Sequence, residues 1–148
     1  MEKIYSKVEP GLLLHVIYRL SDFKSGRQEI IGSDEFIQCS ALKLDYKHTF
    51  RPHKHNVQKR SYDDYVPQES WVIISGMVRC TFYDIDDTVI AEPLLTVGDA
   101  SFTLRGGHTY TIESSETYVF EYKTGRYFGQ ANDKTFIDET DTKDDTGK

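Results

Sequence analysis

Hydrophobic and polar positions alternate in short runs along this chain, and clusters of turn residues separate the runs. Residues 12–20 (LLLHVIYRL) read as a strand, closed by Ser21, Asp22 and the Ser25-Gly26 pair. In 35–44, Phe36, Gln38, Ser40, Leu42 and Leu44 fall on one face. Residues 49–55 form a further candidate carrying Pro52, which confines it to an edge because proline brings no N–H. Segment 69–75 ends at Gly76, and in 77–84 Val78, Cys80 and Phe82 alternate with Met77, Arg79 and Thr81. Residues 89–97 are broken by Pro93, 100–104 follow the Gly98-Asp99 turn, and 108–113 and 118–123 close the series around a loop at 114–116. Eight or nine short strands at intervals of roughly ten residues, with no heptad and no internal repeat, predict an all-β antiparallel domain.

Composition supports that reading and narrows the function. Aromatic residues make up 13% of the 148 positions, which favours strands, and 38% hydrophobic content is enough for one packed core. One domain over 1–137 is expected, with the motifs in 49–123. Residues 138–148 (DETDTKDDTGK) hold five acids against two lysines and read as a solvated tail. With 18 basic and 24 acidic residues the net charge is −6, the wrong sign for a partner that must release counterions from a phosphate backbone. Nucleic acid is not expected. Nor is a membrane span or a leader peptide, since apolar runs are short and charge begins at Glu2. Cys39 and Cys80 lack CxxC spacing and read as free thiols of a cytoplasmic protein.

Candidate chemistry centres on five histidines, at 15, 48, 53, 55 and 108. Within a strand, residues i and i+2 share a side with Cβ atoms about 6–7 Å apart, so His53 and His55 are placed to converge on one ion. Glu69 opens a neighbouring strand, and His108 follows the Gly106-Gly107 break, where backbone can approach a ligand closely. His15 and His48 have no such placement.

The series His53-x-His55, Glu69 with Gly76, and Gly98-Asp99 followed by Gly106 and His108 resembles the two motifs of the cupin superfamily. The phrases FRPHKH, SWVIISG, FYDIDDT, LRGGH and FEYKTGRY are similar to small single-domain cupins associated with bacterial surface-polysaccharide biosynthesis. The resemblance implies a double-stranded β-helix, a jelly-roll barrel, with one divalent metal held by His53, His55, Glu69 and His108. The interval between His55 and Glu69 is longer than the family's usual one, and Gln68 stands beside Glu69 as the alternative donor. Imidazoles with a carboxylate suit Fe, Mn, Ni or Zn without selecting among them. The implied function is action on a small polar ligand, a carbohydrate or sugar nucleotide, by isomerase, epimerase or oxygen-dependent chemistry. The alternative is a non-catalytic binder of carbohydrate or a small anion, acting as sensor or pathway accessory.

Further candidates surround this set. Parity puts Arg51 with His53 and His55, and Tyr110 with His108. Lys59 and Arg60, in the polar stretch 56–68, are placed to meet a phosphate or carboxylate, and Tyr62 or Tyr65 to cover a sugar face. Val119, Glu121 and Lys123 share one side of the last strand; Tyr118, Phe120 and Tyr122 share the other. If the aromatic side packs inward, Glu121 and Lys123 face solvent. If the polar side does, they are an acid–base pair. In 69–75 both faces are apolar, so the strand needs cover on both sides. Residues 12–20, from this chain or a second copy, are one source of it, and a homodimer is expected.

Overall fold

The computed structural model describes residues 1–54, 66–125 and 134–137. Eleven strands lie among them: β1 (Glu2–Tyr5), β2 (Leu13–Tyr18), β3 (Gly26–Glu29), β4 (Ser40–Lys43), β5 (Glu69–Ser75), β6 (Val78–Tyr83), β7 (Val89–Ala91), β8 (Leu94–Leu95), β9 (Ala100–Thr103), β10 (Gly107–Ile112) and β11 (Tyr118–Lys123). They form a largely all-β domain of antiparallel sheets. The first sheet runs β1-β2-β9-β5-β11, the second β10-β6-β7 with β8 also on β6, and β3 pairs β4 in a hairpin. No helix among the described residues is long and apolar enough to cross a membrane.

Strand alternation sorts the core into two. One face of the first sheet meets the second sheet, burying Ile4, Ile17 and Ile73 against Val78, Cys80, Phe82 and Leu95. The other face of that sheet carries Val16, Tyr18, Ala100 and Phe102, packed under Ile30, Ile31, Ile37 and Ala41. The first sheet is therefore apolar on both sides, as β5 alone suggested. The cover comes from the 28–41 region of this same chain. Residues 13–18 lie in the same sheet, separated from β5 by β9, and cover neither face of it.

The regular part of 35–44 is confined to β4. Ahead of it the chain folds back on itself: the Gln38 amide donates to the carbonyls of Gly32 (3.0 Å) and Glu35 (2.7 Å). The Ile30 N–H reaches the Cys39 carbonyl at 3.0 Å. Residues 49–54 are not a strand; they are exposed, and Pro52 has no N–H to give a ladder. Pro93 splits 89–97 into β7 and β8. The predicted tail at 138–148 lies outside the described residues.

Candidate functional site

Register, more than any local motif, assembles the polar end of the molecule. Across the first sheet, Thr103 of β9 is paired with both His15 of β2 and Glu69 of β5, and Glu69 is paired with Lys123 of β11. Directly paired residues share a face, so His15, Thr103, Glu69 and Lys123 form one row. The next row is Ile17, Ser101, Trp71 and Glu121. On the facing sheet, His108 pairs with Phe82 and Tyr110 with Cys80. The two sheets then meet through matched contacts. His15 stacks on Phe82 with centroids 4.3 Å apart, and Trp71 stacks on Tyr110 at 4.0 Å. His108 Nε2 stands 3.2 Å from Glu69 Oε1.

Glu69 is buried, and Lys123 Nζ lies 3.9 Å from its second oxygen. Burial alone would raise the Glu69 pKa, but the His108 hydrogen bond and the charges of His108, Lys134 and Lys123 outweigh it and hold the carboxyl below its ordinary value. A carboxylate can only accept, so His108 donates from Nε2, and in the neutral ring the lone pair then falls on Nδ1. That Nδ1 is buried with no hydrogen-bond partner. Burial drives the Tyr110 phenol well above its usual range, so it stays neutral, and its hydroxyl shares a hydrogen bond with Ser101 Oγ at 3.2 Å. His15 is satisfied twice. Nε2 donates to the Tyr83 carbonyl at 3.2 Å, so Nδ1 accepts from Thr103 Oγ1 at 3.2 Å, and burial lowers its pKa to about 4.

Glu69, His108, Lys123 and Thr103 border an open cavity of about 490 Å³, whose far wall is Lys134–Ile137. Its floor needs Gly106 and Gly107. Gly106 holds φ +75°, and a Cβ there would overlap the Tyr83 carbonyl; a Cβ on Gly107 would collide with Ile137. Lys123 and Lys134 give this mouth a positive side. Arg105 lines it as well, with its guanidinium paired to Glu35 at 2.9 Å.

The residues singled out in the sequence fall into three groups. Glu69, His108 and Lys123 come together, with Tyr110 one position deeper. Glu121 is exposed and accepts from Trp71 Nε1 at 3.1 Å, so the polar side of β11 faces the second sheet at Lys123 but reaches water at Glu121. Gln68 is turned to the opposite face, where Ile37 N–H donates to its Oε1 (2.6 Å) and its Nε2 donates to Glu35 (2.7 Å). Arg51 and His53 lie on the exposed stretch, with His53 Nδ1 donating to the Arg51 carbonyl at 2.9 Å. His55, Lys59, Arg60, Tyr62 and Tyr65 are outside the described residues. Among the described residues, no three His, Cys, Asp or Glu side chains group as metal donors.

The sequence reading passed over Thr103, Tyr83 and the 134–137 segment. Alternation of Ser101 and Thr103 within ASFTL was the available signal for the first; the pair Phe136-Ile137 in a polar stretch was the signal for the last. Comparison with protein-family models, curated proteins and solved structures finds no match, so the site rests on its own geometry.

Proposed function

We propose that the chain is a cupin-type protein, its facing sheets forming an antiparallel jelly roll, and that the mouth at Glu69 and His108 binds a small polar ligand of carbohydrate or sugar-nucleotide chemistry and moves a proton on it. One observation carries this reading: an imidazole clamped by a buried carboxylate through Nε2, its Nδ1 buried and unpartnered, on a residue that lines a cavity. A carboxylate that fixes the tautomer and balances the imidazolium makes the other nitrogen a general base. Lys123 then offsets the negative charge that develops on the ligand when a proton leaves carbon next to a carbonyl. The pattern suits isomerisation or epimerisation.

The test is incubation of the full chain with nucleoside-diphosphate keto-sugars in D2O, read by NMR, with calorimetry for binding. Wild type should bind and exchange a carbon-bound proton, and His108→Ala should lose the exchange by about 10²-fold or more. Binding without exchange favours the non-catalytic binder or sensor. Absence of both removes the proposal.

A second reading is a single divalent ion, Fe, Mn, Ni or Zn, on His53, His55, Glu69 and His108. It is favoured by one distance: neighbouring donors on an octahedral ion with bonds of about 2.1 Å stand about 3 Å apart, and Glu69 Oε1 and His108 Nε2 stand at 3.2 Å. When bound, such an ion supplies Lewis-acid polarisation of a ligand oxygen. Of the three described donors, Glu69 and His108 fit, and His53 is not gathered with them. Metal analysis of tag-free protein, with His53→Ala and His108→Ala, decides this reading, and metal-free wild type after supply of each ion ends it. The proposal also takes the protein as a homodimer that covers the outer face of β11, where Tyr118, Phe120 and Tyr122 are exposed. Sedimentation showing only monomer at micromolar concentration would remove that part.

A further inference from the structure

A second cavity, of about 450 Å³, lies on the opposite face of the first sheet, between that sheet and the 28–41 cover. It does not depend on the Glu69–His108 mouth. Its walls are mainly apolar, with Ile37, Cys39 and Ala41 on the cover and Val72, Ala100 and Phe102 on the sheet, and Gln38, Ser40 and Thr124 at the border. Lys123 also borders it but directs its ammonium to Glu69 on the other side, so no cation faces in. The Cys39 thiol is kept neutral by burial.

In this apolar wall one polar group stands out. Ser70 belongs to the row Val16, Phe102, Ser70 and Tyr122 across β2, β9, β5 and β11. It is 2% exposed, and its Oγ has no hydrogen-bond partner. A buried hydroxyl left unpaired is costly, while alanine or valine would have filled the row at no such cost. The volume is that of a ligand site, with room for roughly fifteen non-hydrogen atoms at interior packing density.

We propose that this cavity binds a small neutral hydrophobic molecule carrying one hydroxyl, carbonyl or arylamine group, with its hydrocarbon body between cover and sheet and its polar atom on Ser70 Oγ, which turns from its sealed position to meet it. An anion finds no countercharge there, and a sugar would leave its other hydroxyls unpaired against Phe102, Val72 and Ile37.

The full chain is titrated with the fluorescent probe 1-N-phenylnaphthylamine, which is then displaced by 2-naphthol or by naphthalene. Saturable one-to-one binding is expected, with 2-naphthol preferred over naphthalene by about five- to tenfold, the worth of one hydrogen bond. Ser70→Ala should abolish the preference while keeping naphthalene affinity, and should not lower stability, because it removes an unpaired group. Ala41→Leu, which fills the cavity from the cover, should weaken both ligands by tenfold or more with an unchanged circular dichroism spectrum. No saturable binding to folded wild type overturns the proposal. So does a preference that survives Ser70→Ala, or amide shifts that cluster at Gly106 and His108 instead of at Ile37 and Ala41.

Discussion

Acid should weaken this protein through His15, and the effect has a defined window. The ring is fully buried, stacked on Phe82, with both nitrogens already used: one donates to Tyr83, the other accepts from Thr103. Protonation would place a second N–H against a hydroxyl whose own proton must turn away, inside an apolar stack. Burial therefore lowers its pKa from 6.5 to about 4. Above pH 7 both folded and unfolded chains hold it neutral, and it contributes no slope. As pH falls through 6.5 the unfolded chain takes up the proton and the folded one does not, so stability drops by about 1.4 kcal/mol per pH unit. The loss levels off near pH 4, where the folded form protonates too, at a total of about 3 kcal/mol. Urea unfolding of wild type and His15→Gln between pH 4 and 8 isolates the term, since Gln keeps one donor and one acceptor but cannot titrate. The difference between the two should shrink by about 3 kcal/mol on acidification. Parallel curves, or a His15 NMR resonance titrating near 6.5, would refute the reasoning.

Three further outcomes follow from the same contacts. Gly106→Ala, forced to φ +75° with its methyl against the Tyr83 carbonyl, should cost about 2–4 kcal/mol and lower Tm by roughly 5–15 °C on thermal melting. Gln68→Ala leaves the Ile37 N–H without its acceptor, so chemical denaturation should show a loss of about 1–3 kcal/mol, and limited proteolysis should begin within 32–39. Glu69, whose pKa is lowered in the fold, adds stability that is present above about pH 4.5 and lost as pH falls through its folded value; Glu69→Gln should flatten that part of the acid profile.

How much of this was readable beforehand depends on whether a feature is local. Alternation in β6, β10 and β11 is written in consecutive residues, so these strands and the side-sharing of His108 with Tyr110 or Glu121 with Lys123 could be read directly. Cross-strand register is not local. Nothing near Glu69 announces that Lys123 and Thr103 stand beside it, and nothing near His15 announces Tyr83. The i, i+2 argument for His53 and His55 assumed a strand; residues 49–54 have none, and His55 lies outside the described residues. The cover at 28–41 imitated a strand because Phe36, Gln38 and Ser40 alternate, yet the N–H of Ile37 is taken by a side chain, Gln68, rather than by a neighbouring strand. Tertiary partners decided that segment.

Three consecutive residues of one chain, Gln68, Glu69 and Ser70, serve a fastening, an acid and a lone hydroxyl on alternating faces of the first sheet. Because a pleated chain turns over at every step, deleting or inserting a single codon just before them would swap the acid and the hydroxyl between opposite compartments and unhook the fastening at once. Substitutions can tune either compartment alone; length changes at this point cannot. A library of such variants should therefore tolerate exchanges at 68–70 far better than any gain or loss of one residue.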